Sequence, residues 1–378
     1  MEIYFDNSAT TKTADCVNKK MLEVLENGWG NPSSLHKIGM QAEKHIKKAA
    51  KIIADEIGAS ADEIYFTSGG TESNNIAILG YAYANKKRGM HVIVSSVEHP
   101  AVAECFEKLS KDGFEVDYLS VDENGNISLT ELESLLRKDT ILVSVMHINN
   151  EVGAINPISE IKDIIKKKSP NCVFHSDCVQ SFMKEKINVK KWGVDMIALS
   201  GHKIHGPKGI GALYVKKGTI ISNIVYGGHQ QKNLRSGTEN VFGAAGMAEA
   251  VEYMKSLEKN VSEVKETLYL ELKDIDRAVL NGDMAGSAYI LNMSFPGVRS
   301  EILLHSLEAK GIYVSAGSAC ASNKPSPSNT LTKMGKDAKV IDSAIRFSFS
   351  AENTVEQAKI VAEAVKKEVE QIRKYTRA

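Results

Sequence analysis

The sequence predicts an α/β protein in which a large domain with a mostly parallel sheet, covered by helices, is joined to a smaller α+β unit. Three observations predict it. Strand-like apolar runs at 91–95, 115–119, 140–146, 172–176 and 195–199 alternate with helical stretches near 100–111, 130–137 and 158–168. Strands alternating with helices at this spacing pair in parallel through crossovers. The pattern then changes, with long helices at 239–258 and 261–277 leading to strands at 288–295, 312–315 and 343–349 mixed with helices at 299–310 and 354–373. Finally, 378 residues are enough for two cores.

Taken in order, residues 3–5 form a short strand followed by the polar turn Asp6-Asn7-Ser8-Ala9-Thr10-Thr11, which reads most simply as a cap for the next helix. The segment from Asn27 to Ser34 is too polar and glycine-rich to be an element. Ala42, Ile46, Ala49, Ala50, Ile53 and Ile57 recur at helical spacing, giving an amphipathic helix over 39–57. Ile64 to Asn75 then reads strand, Gly69-Gly70 turn, helix. That order aims backbone N–H groups and a positive helix end at one point where a phosphate can sit, although the turn is neither a Walker loop nor GxGxxG.

Ligands on parallel sheets bind at the carboxyl ends of strands. The residues at those exits are Glu98-His99-Pro100, His147 to Glu151, Asp177 with Gln180, and Ser200-Gly201-His202-Lys203. Every exit carries groups capable of chemistry, which solvent-exposed loops alone do not require. The last exit reads as strand, exposed turn, strand, the second strand being Ile210 to Val215. A lysine held there with its amine toward a cleft can act as a nucleophile, and Lys203 is the candidate Schiff-base residue. Downstream, 227–240 is a glycine-punctuated loop, and 316–330 is small, polar and contains two prolines, a composition that predicts a mobile loop around Cys320.

Lys plus Arg and Asp plus Glu both total 47, so bulk charge suggests neither a nucleic-acid nor a membrane surface. The first residues lack a basic n-region and apolar h-region, and no apolar run has the length of a membrane span, so the expected location is the cytoplasm. Cys16, Cys105, Cys172, Cys178 and Cys320 show no CxxC spacing, which argues against a zinc site and a disulfide framework. A special cysteine here would be a reactive thiol.

A pyridoxal 5'-phosphate enzyme needs an amine, an acid for the pyridine nitrogen, a ring-stacking group, a phosphate cradle and an anchor for the substrate carboxylate. Lys203, Asp177, His99, the Gly69-Gly70-Thr71 turn with Ser200 and His202, and Arg346 supply these in turn. Singly, Asp177 reads as a helix cap, His99 as a packed imidazole and Arg346 as a surface arginine. Jointly they require five coincidences.

The chain resembles the NifS/IscS-type cysteine desulfurases, members of the class V aminotransferase family of fold-type I pyridoxal phosphate enzymes. The resemblance rests on the motifs Asp6 to Thr11, Gly30 to Ser34, Thr67 to Asn75, Glu98-His99, Asn149 to Gly153, His175 to Gln180, Ser200 to Lys203, Arg235 to Thr238, Gly317 to Cys320 and Arg346 to Ser348, in family order over essentially the whole chain. It implies an aspartate-aminotransferase-like large domain with a mostly parallel, seven-stranded-type sheet over 16–250, and a small domain from 1–15 and 251–378 carrying the cysteine loop.

By the same resemblance, Lys203 holds the cofactor covalently, Asp177 pairs with the pyridine nitrogen, Gln180 bonds the ring hydroxyl, and His99 stacks on the ring and assists proton transfers. Gly70, Thr71, Ser200 and His202 hold the phosphate, joined by Thr238 of a second subunit in a homodimer. Asn150 serves cofactor and substrate, and Arg346 and Asn31 bind the substrate. Cys320 takes the sulfur of L-cysteine as a persulfide, leaving L-alanine, and passes it to an acceptor protein such as an iron–sulfur scaffold or a tRNA-thiolation enzyme. The Gly-Ser-Ala-Cys context resembles the group with an extended catalytic loop. Cys178 stands where the family usually has a small residue and reads as a small buried hydrophobe. The competing readings are a selenocysteine lyase, another class V aminotransferase, or a non-catalytic sulfur-delivery scaffold.

Overall fold

The computed structural model describes residues 2–258, 260–317 and 327–376; Cys320 lies outside the described residues. After β1 (Ile3–Tyr4), the central sheet is built from β2 (Ile64–Thr67), β3 (His91–Ser95), β4 (Glu115–Leu119), β5 (Thr140–Ser144), β6 (Val173–Asp177), β7 (Met196–Ser200) and β8 (Gly211–Val215). Their order is β2-β8-β7-β6-β5-β3-β4, seven strands as expected. All neighbours are parallel except β8, which is antiparallel to both β2 and β7. Strands β3, β5, β7 and β8 are buried at every residue, the mark of a sheet covered on both faces. The edge strand β4 instead places Glu115 and Tyr118 in solvent, blunting a surface that would otherwise recruit another strand.

On one side of the sheet, helix Lys37–Ile57 buries Ala42, Ile46, Ala49, Ala50, Ile53 and Ile57, the stripe read from the sequence. That core continues through helix Val241–Ser256 as far as Met254. A second core forms around β9 (Val279–Asn281), β10 (Ile290–Ser294), β11 (Ile312–Tyr313), β12 (Ser315–Ala316) and β13 (Ala344–Ser348). Here the order is β12-β13-β10-β9, all antiparallel, while β1 pairs in parallel with β11. Ile3 and Phe5 belong to this second core, so the N-terminus is stitched to the C-terminal part of the chain. Among the described residues, no helix is long and apolar enough to cross a membrane.

Four local expectations need correction. The turn after β7 is not exposed: Gly201 and the run Ile204 to Pro207 are buried, His202 and Lys203 are half-buried, and only Lys208 and Gly209 face solvent. The Asp6–Thr11 turn does not cap a helix, because helix Asp15–Asn27 starts at Ala14 without a side-chain cap. The helix expected over 261–277 ends at Leu272. Within the stretch read as loop, helix Asn329–Lys333 begins, capped by the Ser328 hydroxyl accepting from the Leu331 N–H.

Candidate active site

Strands β2, β3, β5, β6 and β7 all run in one direction, so their exits share one edge of the sheet. The 3₁₀ turn Gly201–Lys203 stands at that edge. The N-terminal polar turn lies against it. Thr11 Oγ1 donates to the His202 carbonyl at 2.9 Å and accepts from the His205 N–H at 2.7 Å. Lys203 Nζ donates to the carbonyls of Ser8 at 2.5 Å and Ala9 at 2.8 Å.

Asp177 ends β6, and its buried carboxylate accepts from Asn74 Nδ2 at 2.7 Å and from the Val179 N–H at 2.9 Å. The second bond is the local turn a bland reading allows; the first fixes the carboxylate from a different element. Gln180 donates to the Ser8 carbonyl at 3.0 Å and accepts from Lys184 Nζ at 3.2 Å. Ser8 thereby joins the exits of β6 and β7.

The glycine turn reaches the same place. A Cβ on Gly70 would lie 2.7 Å from Val179 Cγ2 and 3.8 Å from Ser200 Cβ, so the start of the following helix is pressed against the ends of β6 and β7. Ser200 Oγ is buried there with no hydrogen-bond partner among the described residues. His99 caps helix Pro100–Lys111, its Nδ1 accepting from the Ala101 N–H at 3.1 Å. A neutral His99 therefore carries its proton on Nε2.

From the second core, β13 delivers Arg346, 2% exposed and no surface arginine. Nη2 pairs with Asp6 Oδ1 at 2.9 Å and Nη1 donates to the Asn150 carbonyl at 2.9 Å. Nε is buried with no hydrogen-bond partner among the described residues. Among the described residues two of its five N–H donors are thus engaged, which leaves donors for a carboxylate. Burial raises the Asp6 carboxyl above its ordinary value against the opposing pull of Arg346.

Burial, with Lys203, Lys208 and Lys184 nearby, pushes His202 down to about 4, so it is a neutral donor or acceptor at neutral pH. Glu98 is buried, with Oε1 accepting from the Met146 N–H at 2.6 Å, and is driven well above the carboxylate range by burial and by Asp177. Cys178 is completely buried and pushed up to about 12 by that burial, a small packing residue.

The sequence matches the class-V aminotransferase family over residues 3–361. The chain belongs to this family. It is 43% identical over 376 residues to the cysteine desulfurase IscS of Methanosarcina thermophila, covering 98% of this chain and 93% of that protein. Among solved structures, a NifS-like protein superposes with a TM-score of 0.92 at 36% identity, covering 98% of this chain and all of that one. The structure described as SspA in complex with cysteine gives 0.83 at 32%, over 94% of this chain and all of that one.

The class-V cofactor, pyridoxal 5'-phosphate, fits the residues present. The orphaned Ser200 hydroxyl and the close-packed Gly70 turn make a small polar cradle, a buried carboxylate stands at Asp177, and an amine stands at Lys203.

Two of the sequence candidates remain peripheral. Asn31 is exposed and its Oδ1 accepts from the nearby Ser33 N–H at 2.9 Å; no described hydrogen bond joins it to the cluster. Thr238 is exposed and lines a cavity of about 150 Å³ with Ser68 and Arg235. Thr71 is exposed at the helix start. Asn150 meets Arg346 through its backbone. Sequence reasoning missed Asn74, the Asp6 partner of Arg346, and Lys184. None carried a local signal: Lys184 stands in the mixed run Phe182-Met183-Lys184-Glu185-Lys186-Ile187, where a lysine reads as ordinary surface charge.

Proposed function

We propose that this chain is a pyridoxal 5'-phosphate-dependent cysteine desulfurase, converting L-cysteine to L-alanine with transfer of the sulfur to Cys320. The observation that carries the reading is the convergence of Lys203, Arg346 and Gln180 on the Asp6–Ala9 turn, with the buried Asp177 carboxylate three residues before Gln180 at the exit of β6 and held by Asn74. The cysteine held by one superposed relative and the names of the others support the choice of substrate.

Lys203 holds the cofactor covalently, Asp177 keeps the pyridine nitrogen protonated, and Gln180 donates to the ring hydroxyl. Gly70, Thr71, Ser200 and neutral His202 take the phosphate, with Thr238 of a second copy completing it in a homodimer. Bound there, the cofactor supplies an electron sink for the pairs released at the substrate carbons. Arg346 grips the substrate carboxylate, Asn150 and Asn31 position the substrate, and His99, its Nδ1 committed to the backbone, moves protons at Nε2.

The Cys320 thiolate attacks the substrate sulfur. A sulfur–sulfur bond forms and the carbon–sulfur bond breaks with its electron pair going to carbon, so sulfur is oxidised to the persulfide level and the Cβ carbon, after protonation, is reduced to the methyl of alanine. A thiolate is required because the thiol is a poor nucleophile. The persulfide then passes to an acceptor protein, the class to which iron–sulfur scaffolds and tRNA-thiolation enzymes belong.

Purified protein should be yellow and should release alanine and sulfide from L-cysteine with a reductant. Cys320→Ser should keep the colour and lose sulfide release; Lys203→Ala should lose the covalent linkage. Full activity in Cys320→Ser would refute the persulfide route.

A further inference from the structure

We propose that Lys184 is a positioning residue for the cofactor, acting through Gln180: it fixes which end of the Gln180 carboxamide faces the cleft. The geometry is a continuous chain. Lys184 Nζ donates to Gln180 Oε1 at 3.2 Å, Gln180 Nε2 donates to the Ser8 carbonyl at 3.0 Å, and the same carbonyl receives Lys203 Nζ at 2.5 Å. The Ser8 junction is itself tied down, its N–H donating to Ser348 Oγ at 2.8 Å on the strand that carries Arg346.

A lysine ammonium only donates. Opposite Lys184, therefore, only the oxygen of the Gln180 amide is stable, and the NH₂ group must turn toward Ser8 and the cofactor side. Without Lys184 the carboxamide is held at its NH₂ end alone, by the Ser8 carbonyl, and its oxygen loses the donor that fixes the plane of the amide.

The position of Lys184 is costly. It is 8% exposed, between buried Phe182, Met183 and Ile187, with its ammonium 5.5 Å from the centre of the Tyr289 ring. Tyr289, Lys203, Arg346, His202 and His205 are ionisable or charged groups around it, Lys203 and Arg346 adding cationic repulsion. Burial and those two cations lower it to about 7. A neutral amine can donate or accept, and the Ser8 carbonyl, which only accepts, then keeps the Gln180 NH₂ on its own side. A residue serving packing alone would not need a nitrogen in this place.

This inference rests on the proposed cofactor role of the site. The test measures the Kd of pyridoxal 5'-phosphate for the apo-protein and the visible absorbance band of the loaded protein, for the unaltered chain, Lys184→Met, Gln180→Ala and the double variant, with a thermal melt of each. Methionine keeps the stem against Tyr289 and removes the donor. Lys184→Met should weaken cofactor binding roughly tenfold and shift the band, as loss of one charge-assisted bond implies. In the Gln180→Ala background the same change should have no further effect.

An unchanged Kd and band in Lys184→Met, or effects that add in the double variant, would overturn the proposal. If Lys184→Met does not melt cooperatively, Lys184→Gln, too short to hold the bond, takes its place under the same criteria. Failure of the unaltered protein to bind pyridoxal 5'-phosphate would instead refute the cofactor reading.

Discussion

Arg346 heads the fully buried side chains by volume, and its worth depends on Asp6. Burying a charge is tolerable only with a partner, so Arg346→Ala, which leaves Asp6 alone, should cost about 3–5 kcal/mol in urea unfolding. The double change Arg346→Met with Asp6→Asn should recover much of that loss while leaving cysteine binding impaired. A recovery absent from the double variant would show that the pair is not the source of the cost. Cys178 offers the converse case. Its thiol is completely buried and held up at about 12, so it is not a thiolate at neutral pH, and Cys178→Ala should retain sulfide release within about twofold. A collapse of sulfide release in that variant would place Cys178 in the chemistry after all.

Strand exits are the elements that make the site, and the sequence showed them because each exit follows an apolar run whose end is marked by a polar residue. The burial of the turn after β7 was not visible. Its cover, Asp6 to Thr11, lies about two hundred residues away, and no local pattern encodes that contact. The same holds for Asn74 against Asp177, separated by 103 positions. The fit between β8 and the glycine turn gives an element-scale prediction. A Cβ on Gly211 would stand 2.6 Å from Gly69 Cα and 2.7 Å from the Leu199 carbonyl oxygen, both backbone atoms that yield only if the turn moves. Gly211→Ala should destabilise by about 1–3 kcal/mol and weaken pyridoxal 5'-phosphate binding by at least tenfold. Equilibrium dialysis beside a thermal melt checks both, and wild-type affinity would mean that the turn does not hold the phosphate.

Across the whole molecule, burial holds His147 and His202 down to about 4 and His175 to about 3, against an ordinary 6.5. The folded chain therefore binds fewer protons than the unfolded chain between those values. Stability rises with pH through that window, is fully present above about 6.5, and is lost as pH falls toward 4. Urea midpoints measured from pH 7 to 4 should fall, and His175→Asn should reduce the slope; a flat profile would contradict the burial of these rings. At this scale the alternation of strands and helices made the fold class legible, and the motif order carried the family. What the sequence could not show is how the second core closes on the first through Ser348 and Arg346, because that closure depends on contacts across the length of the chain. The account as a whole claims that a cofactor held at Lys203 hands sulfur to Cys320. Its most direct test is mass spectrometry of peptides from the loaded protein after treatment with L-cysteine in the absence of reductant. The account predicts the gain of one sulfur atom on the Cys320 peptide alone, in step with alanine formed. Alanine formation with that peptide unchanged, or sulfur carried on another cysteine, would contradict it.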